Sequence, residues 1–140
     1  MVAFLRQGCS MARTTVADVM TRRVVYLPDD TPLDEAAQAM RDQGIGDVVV
    51  THGPTITGMV TDRDIVVRAI AESLSTRTTT LGSITSRELI MVERSATVEE
   101  AVQAMRDRGV RRLLVCDADR KVVGIISLSD IGLLSTSPAH

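Results

Sequence analysis

Gln38-Ala-Met-Arg-Asp42 returns letter for letter as Gln103-Ala-Met-Arg-Asp107. The flanking text keeps the same spacing: Leu33-Asp-Glu-Ala-Ala-Gln38 stands against Val98-Glu-Glu-Ala-Val-Gln103, and Gly44-Ile45 against Gly109-Val110. Further on, Gly58-Met-Val-Thr61-Asp-Arg-Asp64-Ile65 matches Gly124-Ile-Ile-Ser127-Leu-Ser-Asp130-Ile131, with one residue gained in the turn between the two matches. A repeat of this period means two copies of one supersecondary unit, and a gain confined to a turn is what duplication leaves, because turns tolerate insertions.

Within each copy the hydrophobic period alternates between strand and helix. Val24-Val-Tyr-Leu27 is short, β-branched and stopped by Pro28-Asp-Asp, so it reads as a strand. From Leu33 to Gly44 the apolar positions Leu33, Ala36, Ala37 and Met40 recur at helical spacing, with Thr31-Pro32 as the start and Gly44 as the stop. Asp47-Val-Val-Val-Thr51 and Gly58-Met-Val-Thr61 flank His52-Gly53-Pro54 and form an antiparallel hairpin, after which Asp62 to Ala71 resumes helical spacing. The second copy repeats the order as Leu89-Val92, Val98-Arg108, Arg112-Cys116, a turn at Asp117-Arg120, Val122-Ile126 and a helix from Leu128. The fold class is therefore α+β, β-α-β-β-α twice. The expected divisions are an N-terminal extension over 1–15 that is poorly ordered, repeats over 16–72 and 81–135, a polar linker over 73–80 and a tail over 136–140. Each repeat is marginal alone, and the fully apolar strands Val48-Val50 and Val122-Ile126 call for cover on more than one face, so the halves are expected to pack around a pseudo-two-fold axis.

Composition removes several functions. The 16 basic and 18 acidic residues leave a net charge of -2, so the bulk balance recruits neither nucleic acid nor an anionic membrane. Phe4 and Tyr26 are the aromatics and there is no Trp, which disfavours readers that stack bases on aromatic platforms. No run is apolar enough for a secretory signal or a membrane span, and the chain reads as cytoplasmic. Cys9, Cys116, His52 and His140 lack metal-ligand spacing, and Cys116 inside a strand reads as a buried thiol. No nucleophile with base and orienter, no paired carboxylates in apolar surroundings and no phosphate-binding Gly-rich loop is present, so no enzyme is expected.

The paired G-h-h-[ST]-x-x-D-h, with h apolar, has a purely structural explanation: Ser or Thr followed three residues later by an acid is a capping box at a helix start. Two copies at equivalent strand-to-helix junctions, each with the preceding Gly and hairpin, carry more than that. With Val16-Ala-Asp-Val-Met20 as lead-in, residues 16 to 134 resemble a CBS-domain pair (Bateman module) of the stand-alone bacterial type.

The resemblance implies a cleft between the repeats in which Thr61, Asp64, Ser127 and Asp130 face the ribose and phosphate of an adenosine ligand. A carboxylate accepts two ribose hydroxyls at once, and a helix start offers N–H groups to phosphate. The adenine slot would be walled by Val25, Ile45, Gly46, Asp47 and Val48 at one site and by Met91, Val110, Arg111 and Leu113 at the other. Gly46-Asp47 in the first copy is Arg111-Arg112 in the second, so the sites are unequal. Arg112 is assigned to phosphate, the alternative for this arginine pair being solvation or pairing with Asp107 or Asp117. The second lead-in, Leu81-Gly-Ser-Ile-Thr85, lacks the Asp and Met of the first. The resemblance further implies a regulatory module with no required cofactor, taking AMP, ADP, ATP or S-adenosylmethionine in energy sensing or stress response, and a homodimer that associates through exposed helix faces and regulates a partner protein. The competing reading is a ligand-free structural module that dimerises and recruits a partner.

Overall fold

The computed structural model describes residues 14–85 and 89–136, with side chains described as far as Gly132 in the last helix. The extension expected over 1–15 and the tail over 136–140 lie almost wholly outside the described residues. The elements run α1 (Val16–Val19), β1 (Tyr26–Pro28), α2 (Leu33–Gln43), β2 (Asp47–His52), β3 (Thr55–Thr61), α3 (Asp62–Ile65), a π-helical turn (Val66–Ile70), α4 (Leu81–Ile84), β4 (Met91–Glu93), α5 (Val98–Arg108), β5 (Arg112–Cys116), β6 (Val122–Ser127) and α6 (Leu128–Thr136). They form two compact units. One is Val24–Leu89; the other joins the chain up to Arg23 with the chain from Ile90 onward.

Each unit holds a three-stranded sheet, ordered β1-β2-β3 in one and β4-β5-β6 in the other. The first pair is parallel, as a crossover through a helix requires, and the second is an antiparallel hairpin. Both hairpins are irregular at the same place, between Val50 and Thr51 and between Val115 and Cys116. In the Val24–Leu89 unit, alternate residues Val48 and Val50 of β2 turn toward Leu33, Ala36 and Met40 of α2, with Val60, Ile65, Ala69, Leu81 and Ile84 closing the core. Ala37, expected on that stripe, is exposed. In the other unit Leu113, Val115 and Ile126 meet Ala101 and Met105 of α5 and Val16 and Met20. Val49 and Leu114 point to the opposite sheet faces and are also fully buried, so the central strands are apolar because both of their faces are covered.

Helices α2 and α5 end as their glycines dictate. Gly44 at φ 65° and Gly109 at φ 66° take the left-handed conformation, and the next residues, Ile45 and Val110, donate their N–H groups to the carbonyls of Met40 and Met105 at 3.0 Å. At the other end α2 begins after Pro32 with no side-chain cap, and its orphan N–H groups are satisfied from a distance. Leu33 N–H donates to Thr79 O at 2.9 Å and Asp34 N–H to Thr76 O at 2.9 Å. The polar segment expected to be a linker is thus a cap for α2.

The two units are assembled by exchange. Val98 N–H donates to Thr14 O, matching Leu33 to Thr79; Val16 N–H donates to Ala96 O, matching Leu81 to Thr31; Ala17 N–H donates to Arg94 O, matching Gly82 to Asp29, all between 2.8 and 3.0 Å. The lead-in of the first repeat therefore completes the sheet unit of the second, and the lead-in of the second completes the first. Repeats 16–72 and 81–135 are divisions of the sequence, and the compact units cut across them because Val16 and Leu81, both fully buried, find their cores there.

Candidate functional site

In the Val24–Leu89 unit, strand β3 runs into α3 at Thr61. The Thr61 N–H donates to Asp64 Oδ2 at 2.8 Å, and the Asp64 N–H donates to Thr61 Oγ1 at 3.0 Å, a complete capping box. Asp62 N–H donates to the Gly46 carbonyl at 2.9 Å, and Asp47 pairs across the ladder with Thr61. The register therefore brings Gly46, Asp47, Thr61 and Asp64 together at one end of the sheet. The second unit repeats the plan: Ser127 N–H donates to Asp130 Oδ2 at 3.1 Å, Asp130 N–H to Ser127 Oγ at 3.2 Å, and Leu128 N–H to the Arg111 carbonyl at 3.0 Å, with Arg112 opposite Ser127.

These bonds correct one expectation. The first helix start was expected to offer N–H groups to phosphate, yet Thr61, Asp62, Asp64 and also Arg63, which donates to Asp62 Oδ1 at 2.8 Å, are all engaged within the protein. An anion near Asp64 would find its donors in side chains, a hydroxyl such as that of Thr61 or a cation.

Such a cation is at hand. Arg68 lies in the π-helical turn, where Ala71 N–H reaches back five residues to Val66 O at 2.8 Å. Its Nε stands 3.8 Å from Asp64 Oδ1, the carboxylate oxygen that the capping box does not use, and the two side chains are 48% and 23% exposed. Its Nη1 donates to the Ile84 carbonyl at 3.1 Å, at the end of α4. The signal for this contact was in the sequence as the i, i+4 spacing of Asp64 and Arg68; the position equivalent to Arg68 in the second copy is Leu134.

The residues expected to wall an adenine slot fall in different settings, Asp47 being the ladder partner of Thr61. Val25, Ile45 and Val110 are partly buried and pack on the cores of their own units, while Met91 is exposed. Val48 and Leu113 are fully buried, with their side chains among core residues. Gly46 and Arg111 supply the carbonyls that receive the helix-start N–H groups. Elsewhere, Cys116 is a buried free thiol, and His52 lies exposed with its Nδ1 3.1 Å from Asp29 Oδ2. Among the described residues no group of three or more His, Cys, Asp or Glu side chains could hold a metal ion, and no helix is long and apolar enough to cross a membrane; Cys9 and His140 lie outside those residues.

Comparison with known proteins gives a family match over most of the chain, the CBS domain, at residues 16–70 and 81–131. An uncharacterized protein of Methanopyrus kandleri is 34% identical over 123 residues, covering 86% of this chain, which spans 62% of that relative's length. Hypoxic response protein 1 of Mycobacterium tuberculosis is 33% identical over 119 residues, 84% of this chain and 82% of that one. Its crystal structure, with two coordinated zinc ions, superposes with a TM-score of 0.67 at 32% identity over 85% of this chain and 97% of that one. The CBS domain pair of protein MJ0100, solved in complex with 5′-methylthioadenosine and S-adenosyl-L-methionine, superposes with a TM-score of 0.74 at 24% identity, over 86% of this chain and 94% of that one.

Proposed function

This chain belongs to the CBS-domain family, and from that premise we propose that it is a regulatory module binding an adenosine-type nucleotide (AMP, ADP, ATP or S-adenosylmethionine) at Thr61/Asp64 and Ser127/Asp130. One observation carries the reading. Asp64 completes its capping box with Oδ2 alone, and Oδ1 keeps lone pairs for ribose hydroxyls in a carboxylate that is only part-buried. Capping and ribose binding use different oxygens, so the same side chain serves both. That a CBS pair of the same fold, that of MJ0100, holds adenosyl ligands supports the ligand class. The strand-entry difference, Gly46-Asp47 against Arg111-Arg112, supports two unequal sites, with Arg112 assigned to phosphate at the second.

Occupancy would be read out as a change of conformation or assembly. The row Val66, Val67, Ile70 and Leu74, exposed directly after the Thr61/Asp64 box, supports a homodimer that covers it. The same row is what favours the second reading, a ligand-free module whose apolar face recruits a protein partner. A cytoplasmic role in energy sensing or stress response fits the first reading, and the name of the mycobacterial relative, a hypoxic response protein, is in line with stress response.

The test is a thermal-shift and calorimetric panel of adenosine ligands on the full chain, with Asp64→Asn and Asp130→Asn. Asparagine keeps a carbonyl oxygen for the Thr61 or Ser127 N–H but loses the charge that grips ribose. A charge-assisted hydrogen bond is worth roughly 1.5–3 kcal/mol, so each variant should weaken its site about tenfold or more at little change in unliganded stability. No shift with any ligand at millimolar concentration would sink the sensor reading and leave the interaction module.

A further inference from the structure

Arg68 joins the carboxylate assigned to ribose and the end of α4, the last described element of this unit before the chain passes to β4. Its guanidinium stands 3.8 Å from Asp64 Oδ1 and bonds the Ile84 carbonyl at 3.1 Å. Ile84 ends α4, whose Leu81 and Ile84 side chains are buried in the core and whose Leu81 and Gly82 N–H groups donate to Thr31 O at 2.9 Å and Asp29 O at 2.8 Å. The chain then runs on toward β4 of the other unit.

We infer that Arg68 is the phosphate-reading residue of the first site and that phosphate binding there releases the end of α4. This rests on the nucleotide-binding reading above, and three observations carry it further. The four N–H groups of the helix start are engaged, so a phosphate there would be met by side-chain donors. Arg68 is the cation beside Asp64, and on an adenosine ligand the 5′-phosphate lies a few bonds from the hydroxyls that Asp64 would hold. Finally, Arg68 now stands 3.8 Å from the Asp64 carboxylate and hydrogen-bonds a neutral carbonyl through a single bond, and an ionised phosphate accepting two parallel bonds from the planar fork is a stronger acceptor than that carbonyl. A phosphate that takes the Nη1/Nη2 edge of the fork draws the guanidinium toward itself and away from its single bond to Ile84. Adenosine, lacking phosphate, would occupy Asp64 and leave the latch closed. Because the second copy carries Leu134 at this position, the device belongs to the first site alone.

The experiment compares adenosine with AMP on the full chain and on Arg68→Met, which keeps an apolar stem. Hydrogen exchange is followed over residues 81–85 and affinity by calorimetry. In the unliganded chain, loss of the bond to Ile84 should speed exchange at these amides by about fivefold. In the wild type AMP should speed the same amides and adenosine should not. Arg68→Met should weaken AMP by roughly tenfold to a hundredfold, leave adenosine unchanged and erase the difference between them in exchange. AMP binding that is lost in Asp64→Asn but untouched by Arg68→Met overturns this inference and spares the nucleotide reading; binding of neither ligand to the wild type overturns both. Unchanged exchange over 81–85 in unliganded Arg68→Met removes the latch whatever the ligands do.

Discussion

Replacing Gly124 by alanine tests why the family motif begins with glycine. A Cβ built at Gly124 would stand 2.7 Å from the Thr21 carbonyl oxygen and 2.7 Å from the Met20 sulfur. The sulfur ends a flexible side chain and can retreat. The carbonyl cannot retreat freely, because Thr21 and Ile125 exchange backbone bonds, Thr21 N–H to Ile125 O at 2.8 Å and Ile125 N–H to Thr21 O at 2.9 Å. Overpacking of this kind costs about 1–3 kcal/mol, and loosening two such bonds adds about 1 kcal/mol. A loss of about 2–4 kcal/mol lowers the melting temperature of a chain this size by roughly 6–15 °C. Gly132→Ala is the matched control: it sits in α6 with nothing within 4 Å of the added methyl, and there alanine should gain about 0.5–1 kcal/mol from helix propensity. Chemical denaturation of the three proteins, with hydrogen exchange at Thr21 and Ile125, reads both effects. If Gly124→Ala lies within about 0.5 kcal/mol of wild type and leaves those amides protected, the close approach of the lead-in segment is not what the glycine serves.

Other consequences follow from the caps. Thr97→Ala removes the hydroxyl that accepts the Glu100 N–H at 3.1 Å and should cost about 1 kcal/mol by urea denaturation, with ligand affinity unchanged because the box joins Thr97 and Glu100 to each other; Thr97→Ser should restore the loss. Asp18 is held below its ordinary carboxyl value, first by the Thr15 backbone N–H at 3.0 Å and then by the Thr15 hydroxyl at 3.1 Å. A depressed folded-state value contributes stability above the unfolded value and loses it as pH falls through the folded one, so this contribution disappears in acid, below the normal carboxyl range. Carbon-detected titration of the Asp18 carboxyl should show the depressed midpoint, and Thr15→Val should raise it; a midpoint indifferent to that change would remove the hydroxyl's share.

The helices were the most legible parts because their ends are chemically marked. Val98–Arg108 is expected and observed with the same bounds, since Thr97 and Gly109 leave no alternative for either end. The first strand of each copy was placed early, at Val24 and Leu89, where the ladder runs Tyr26–Pro28 and Met91–Glu93. Val25 still accepts the Val49 N–H at 2.8 Å, so the apolar run does begin its pairing there, before regular ladder geometry. The π-helical turn was not legible: Asp62 to Ala71 has ordinary helical spacing, and a shift from four-residue to five-residue bonding changes no residue type. Least legible was the exchange of lead-in segments. The repeats are so alike that Val16 and Leu81 present the same apolar pattern to either copy's sheet, and local periodicity carries no information on which one receives them.

That same likeness limits what the motif itself says about binding. Ser or Thr with an acid three residues on closes a capping box at Thr15, Thr61 and Thr97, and Ser127 with Asp130 makes the same two bonds, yet two of these four are given no ligand. What separates Thr61/Asp64 and Ser127/Asp130 is their setting. Each follows directly on a strand, and each helix start is tied to the carbonyl of a strand-entry residue, Gly46 or Arg111. The two settings then diverge in where positive charge is put. The first copy has an acid, Asp47, at the strand entry and Arg68 four residues after Asp64, whereas the second has Arg111 and Arg112 at the strand entry and Leu134 at the position equivalent to Arg68. Divergence at these few positions gives two copies of one fold different distributions of charge around the same capping box.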